Sequence, residues 1–361
     1  MPRSSSPGGA RLRVPNLHKG RVRWPRVPHR HRLWIDTVAE RLGLSPWSAV
    51  VALGILSYAL FLVCYVAAGA SPDLLDIVLY GLGYFVPVAF AALAASVYVR
   101  DKMVALEAHA ISMVEDPKAA TEVIAPISSL RGIGIMASAV FVIFVVPYLI
   151  SSTPSQTVVF DRTALILATI PWLPVVWFIA TALWTLAYSL VGVYRIGKLP
   201  MKLRPFTIDR RLGLKPFAAT CLRLTAIYYG LVSFTILTDL DSPLPSQAVV
   251  VRTLGFATLG LLLFLLPLWS LHEKLMRAKA EKIVWINDRY DRIVRKIESG
   301  ADGPLEAGIQ GELLGIDKIQ RDIQSIRTWP FDMNSLAKLI TILLSVTAIL
   351  LARFIAPFLG I

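Results

Sequence analysis

Acidic residues are scarce in this chain, which has 24 Asp and Glu in 361 residues against 37 Lys and Arg. None stands deep inside a long apolar run, so proton or sodium coupling through an intramembrane carboxylate lacks its usual parts. Cysteine is scarcer still: Cys64 and Cys221 lie in separate apolar runs, without CxxC or Cys/His spacing. That excludes a disulfide framework and a thiolate metal site, and leaves both as small packing residues. HExxH, GxSxG, GxxxxGK[ST] and paired intramembrane aspartates are all missing, so the chain reads as no enzyme, with no cofactor and no metal. Histidine is equally thin. His18, His29 and His31 fall in a basic N-terminal stretch, while His109 and His272 stand alone in expected helices, which reads as solvated side chains.

Apolar surface is what the chain has in excess. Hydrophobic residues make up 55% and charged residues only 17%, with a mean hydropathy of +0.62, outside the range of ordinary soluble domains. A bilayer core of roughly 30 Å takes about 20 apolar residues of helix to cross. Runs that meet this need fall at 48–68, 75–99, 132–150, 164–194, 217–237, 249–270 and 336–359. They predict an all-α, polytopic membrane protein with about seven transmembrane helices. The fourth run is long enough to tilt or project, and Pro171 and Pro174 predict a kink near one end.

Charge sets the expected orientation. Residues 1–47, 99–131, 195–216 and 271–335 hold 32 of the 37 Lys and Arg, whereas the opposite loops hold only Arg162 and Arg252. Excess Lys and Arg mark the cytoplasmic side. The N-terminus is therefore expected inside and the C-terminus outside, in the cell membrane, and the net charge of +13 needs no nucleic-acid partner. This is the reverse of G-protein-coupled receptors and microbial rhodopsins.

Five regions follow. Residues 1–32 carry nine Lys/Arg and five Pro and are expected to form a disordered basic arm against anionic lipid. Residues 33–46 put Leu33, Trp34, Val38 and Leu42 on one face of a short interfacial helix. Residues 47–270 hold the first six spans. Residues 271–328 form an expected cytoplasmic antiparallel hairpin: Ile283, Ile286, Tyr290, Ile293 and Ile297 make one apolar seam. Gly300, Gly303 and Pro304 then break the helix, and Ile309, Leu313, Ile316, Ile319, Ile323 and Ile326 make the second. In 329–361, Trp329, Pro330, Phe331 and Asp332 form an interfacial turn before the last span.

Polar groups inside the spans are the candidates for function. Arg223, Arg252 and Arg353 are ionisable and none sits at the midplane; Arg252 and Arg353 either snorkel, pair with Asp161, Asp239 or Asp241, or line an outer vestibule. The run 217–237 is the most polar, with Thr220, Thr225, Tyr228, Tyr229, Ser233 and Thr235, which suits interhelical hydrogen bonds or a wet path. Gly81 with Gly83, and Gly255 with Gly260, suit close helix packing.

The layout of seven spans, with long cytoplasmic extensions and a last helix preceded by Trp329-Pro330-Phe331, resembles insect gustatory and odorant receptors, which are seven-transmembrane ligand-gated cation channels. The resemblance is one of topology, and the last helix lacks the Thr-Tyr and Gln-Phe signature of those receptors. The chain is also similar to uncharacterised prokaryotic multipass proteins that end in a charged hairpin, a WPFD-like turn and a final span. The channel resemblance implies a homo-oligomer whose last helices meet around an axis, with Thr341, Ser345 and Thr347 as pore hydroxyls and Arg353 near the mouth. The expected function is a channel-like or sensor-like oligomer. A membrane scaffold whose hairpin docks a protein partner is the alternative, and a transporter comes third.

Overall fold

Long apolar runs with few breakers leave the backbone one way to satisfy its own hydrogen bonds in lipid, the helix. The computed structural model describes residues 31–69, 74–146, 162–205, 209, 211–238, 246–298, 306–331, 334, 336–345 and 348. Among these residues the chain is helical, with an isolated bridge between Val114 and Met201. The short α1 (Trp34–Leu42) ends at Gly43, whose φ of 67° terminates it. Ser45 caps α2 (Pro46–Ala67) by accepting the Ser48 amide at 3.0 Å. The next helix, α3 (Leu74–Met113), carries a π segment at Gly81–Phe85. Pro87, which has no amide hydrogen to donate, stands two residues beyond that segment.

Two shorter helices come next, α4 (Pro117–Ile124) and α5 (Leu130–Val140), the latter extended by a π turn at Phe141–Val145. Where the sequence predicts a kink, the helix is interrupted at Ile170 and Pro171, between α6 (Arg162–Thr169) and α7 (Trp172–Lys198), with Pro171 at the N-cap of α7. After α8 (Lys215–Thr238) comes α9 (Ser246–Glu298), 53 residues long and therefore about 80 Å at 1.5 Å per residue. The chain continues with α10 (Glu306–Gln324) and α11 (Leu336–Ser345).

Four of these helical stretches are long and apolar enough to cross a membrane: Pro46–Ala67, Leu74–Met113, Ile166–Lys198 and Leu254–Arg295. A fifth is added if Pro117–Ser128 and Leu130–Ile143, bent by 42°, count as one broken span. The expected spans 48–68, 75–99, 164–194 and 249–270 fall on the four, and 132–150 falls on the bent pair. The run 217–237 falls on α8, which is not among them and carries Arg223 with a series of hydroxyls. The run 336–359 is described only through Ser345 and at residue 348, as a shorter apolar helix.

Packing centres on α7, which touches α3, α5 and α9. Its Thr181, Thr185 and Ser189 are fully buried, and each donates to the carbonyl four residues back. Close approach is bought with glycine: a Cβ on Gly132 would lie 2.0 Å from the Trp184 ring, and one on Gly197 would lie 2.0 Å from Ser270 Oγ. Gly81 packs on Tyr58 and Phe61, and Gly260 on Tyr228 and Tyr229, whereas Gly83 and Gly255 meet nothing. Outward positions such as Leu56, Val63 and Ile135 are large, apolar and exposed, as a lipid-facing surface requires.

At one end of the bundle the chain builds a packed base. Met103, Leu106, Ala110 and Met113 of α3 join Ile124, Ile196, Leu212, Phe217, Leu271 and Leu275 in one core. Beyond the base, α10 runs back along α9: Arg289 meets Glu312, Lys279 reaches the carbonyls of Gln324 and Ile326, and Ile286, Ile293, Ile316, Ile323 and Ile326 bury their seam.

Candidate functional site

The base holds a buried ionic clasp between α1 and α3. Along α3, Arg100, Met103, Glu107 and Ala110 recur on the buried face, so Arg100 and Glu107 stand two turns apart on one side. Arg100 is 2% exposed and Asp36 is 5% exposed. Asp36 sits in the first turn of α1, where a carboxylate is favoured by the helix dipole. Its Oδ2 accepts the Leu33 amide at 2.8 Å and its Oδ1 accepts from Arg100 Nη1. Arg100 Nε and Nη2 both donate to Asp101 Oδ1, at 3.0 and 2.7 Å. One buried guanidinium is thus shared between two carboxylates, which is how a charge survives removal from water.

Neighbouring contacts extend the clasp. His31 Nε2 lies 2.7 Å from Glu107 Oε2 with both side chains buried. Trp34 Nε1 donates to Thr181 Oγ1 at 3.0 Å, and the Trp34 ring stacks on Phe178. The anticipated interfacial helix 33–46 therefore buries Leu33, Ile35 and Ala39 in a core shared with α2, α3 and α7, while Leu42 is exposed. Of the basic arm, only His31 and Arg32 fall within the described residues.

The reading of the histidines as solvated is corrected at all three described positions. His31 is buried as above. His109 Nε2 pairs with the Gly213 carbonyl at 3.0 Å, which assigns the proton to Nε2 because a carbonyl only accepts. That carbonyl is presented by a tight loop in which Asp209 accepts the amides of Arg211 and Gly213, with Gly213 at φ 90°. His272 Nδ1 donates to the Thr328 carbonyl at 2.7 Å, and its ring stacks on Trp329 with centroids 4.2 Å apart. A lone histidine in sequence gives no sign of carbonyls 56 or 104 residues away.

That last contact fixes the expected turn. Trp329 also meets Trp269 and Phe331, Phe331 meets Phe264, and Pro330 is buried. The turn is held on α9 by aromatic faces. Beyond it, α11 buries Leu339 against the core, with Ile342 and Leu343 packed beside it. Thr341 and Ser345 are exposed, and their hydroxyls donate to the carbonyls of Ala337 and Thr341 at 2.9 Å. Asp332, Thr347 and Arg353 lie outside the described residues, as do Asp161, Asp239, Asp241 and the side chain of Arg252.

Two of the α8 hydroxyls tie it to α9, whereas Thr225 Oγ1 is buried with no hydrogen-bond partner among the described residues. Tyr228 and Tyr229 donate to the carbonyls of Phe256 and Ala257 on α9, at 3.0 and 2.7 Å. Cys64 and Cys221 are buried free thiols. Among the described residues, no group of three or more His, Cys, Asp or Glu is placed to hold a metal ion. Sequence reasoning missed the clasp. Its one local signal was the seven-residue spacing of Arg100 and Glu107 within an otherwise apolar stripe. No protein-family description matches this chain, and neither the curated proteins nor the solved structures include one similar to it.

Proposed function

We propose that this chain is an oligomeric multipass membrane protein of the channel or sensor class, not an enzyme, in which the final helices of several copies meet around a shared axis. The observation that carries this reading is the division of α11 into two faces. One face, through Leu339, Ile342 and Leu343, belongs to its own bundle. The other carries Ala337, Thr341 and Ser345, small or hydroxylated and exposed at i, i+4, i+8 spacing, beside exposed Ile340 and Leu344, a mixed stripe on which membrane helices can pack. Seven crossings, a cytoplasmic N-terminus and a cytoplasmic hairpin at 271–328 belong to the same reading.

Cysteine crosslinking in native membranes tests it, in a background with Cys64 and Cys221 replaced by Ala. Thr341→Cys and Ser345→Cys are expected to form disulfide-linked dimers, and Leu339→Cys is not. Planar-bilayer recording of the purified protein is the companion measurement. A monomer by native mass spectrometry, without conductance, defeats the proposal.

A scaffold is the second reading, favoured by one observation. The α9–α10 pair leaves Val284, Trp285 and Leu314 exposed, the last at 70%, away from the isoleucine seam. An amphipathic helix face is a common docking surface for protein partners. If Trp285→Glu with Leu314→Glu abolishes retention of a soluble partner while the oligomer persists, this reading replaces the first.

A further inference from the structure

In the seven-crossing reading proposed above, Arg223 carries a charge in a membrane helix, with nothing among the described residues to neutralise it. It stands in α8 eight residues beyond Lys215, about 12 Å along the axis at 1.5 Å per residue. Its side chain is exposed and has no hydrogen-bond or ion-pair partner among the described residues. The opposite face of α8 is closed, because Phe217, Leu224, Tyr228 and Val232 are built into the core. Around Arg223 the outward face is low. Ala219 and Ala226 flank it on one side, Ile227 on the other is turned partly into the core, and a Cβ added at Gly230 would meet nothing within 4 Å.

We propose that Arg223 binds the phosphate of an anionic phospholipid in the leaflet at the Lys215 end of α8. A charge held in hydrocarbon is costly and persists where it finds a counter-charge. The long Arg stem carries the guanidinium toward the headgroups, and its planar fork matches two phosphate oxygens at once. Exposed Lys215 adds a second positive group at the helix start. The small residues beside Arg223 leave room for an acyl chain against the helix. A second copy of the chain fits less well, since the apolar runs hold no deep Asp or Glu to answer the guanidinium.

Native mass spectrometry of the full chain in detergent, titrated with dioleoyl-phosphatidylglycerol or dioleoyl-phosphatidylcholine, tests the proposal. The wild type is expected to retain phosphatidylglycerol preferentially. Arg223→Gln is expected to weaken that binding roughly fivefold, the factor for one basic residue at an anionic surface, and to leave phosphatidylcholine binding unchanged. Arg223→Lys, which keeps the charge without the fork, falls between. Equal phosphatidylglycerol preference in Arg223→Gln overturns the proposal. Displacement of the lipid by inorganic phosphate also overturns it, by pointing to a soluble anion. So does loss of an oligomer in Arg223→Gln at constant lipid binding, which assigns the residue to a second copy.

Discussion

Two ion pairs in this chain share the same chemistry and differ in everything around them. Arg100 and Asp36 meet inside the base, joining helices 64 residues apart, with side chains 2% and 6% exposed. Arg289 and Glu312 meet on the α9–α10 pair at 2.7 Å, with side chains 48% and 37% exposed. Water replaces a lost partner in the second pair and cannot reach the first. The clasp is therefore conditional: its worth lies less in the attraction than in the penalty for stranding either charge. Placing that penalty where α1 meets α3 and α7 specifies one seating for the N-terminal helix.

The largest effect is expected at the clasp. Asp36→Ala strands Arg100 with Asp101 alone and removes the acceptor of the Leu33 amide, so a loss of about 3–5 kcal/mol is expected. Thermal unfolding in a mild detergent reads it. The double variant Asp36→Leu with Arg100→Met is expected to be more stable than the single one, because it removes both charges of the pair together. If the single substitution costs no more than the double, burial is not what distinguishes the two pairs.

Packing without charge gives the next size of effect and sharpens the comparison. Gly132 and Gly134 are two residues apart on α5, yet a Cβ on Gly132 would lie 2.0 Å from the Trp184 ring while one on Gly134 meets nothing within 4 Å. Trp184 is held in place by its donation to the Pro126 carbonyl at 3.1 Å. Gly132→Ala is expected to destabilise by about 1–3 kcal/mol. Gly134→Ala is expected to be neutral or to stabilise by up to about 1 kcal/mol, by removing helix-interior glycine. Equal melting shifts for the two would mean that Trp184 yields freely. A smaller loss, about 1 kcal/mol, is expected for Tyr229→Phe, which removes one neutral hydrogen bond to α9.

The same contrast explains what the sequence disclosed. Apolar runs and their breakers are local, so the helices over 48–68, 75–99, 164–194 and 249–270, and the break at Pro171, could be placed from composition and proline alone. The seam residues Ile286, Ile293, Ile316, Ile323 and Ile326 follow helical period. Ile283 and Tyr290, which share that period, are exposed, because a pair of helices covers only one row of each. Trp329 and Phe331 were legible as an interfacial turn, but their partners His272 and Phe264 were not. Asp36 and Arg100 were invisible for the same reason. Their pairing depends on a tertiary approach, and each residue alone looks like ordinary flanking charge at a helix end.

The smallest effect belongs to the exposed pair, and it is the one that can break the comparison. A double-mutant cycle over Arg289→Ala and Glu312→Ala is expected to return a coupling of about 0.2–1 kcal/mol. Raising the salt from 0.15 M to 1 M shortens the screening length from about 8 Å to about 3 Å and is expected to shrink that coupling further. The isoleucine seam beneath the pair is unaffected by salt, so the helix pair itself is expected to survive. A coupling above about 2 kcal/mol, insensitive to salt, would mean that the α9–α10 surface is covered in the assembled protein. Exposure in a single chain would then understate its burial, and the pair would join the clasp as an element of assembly.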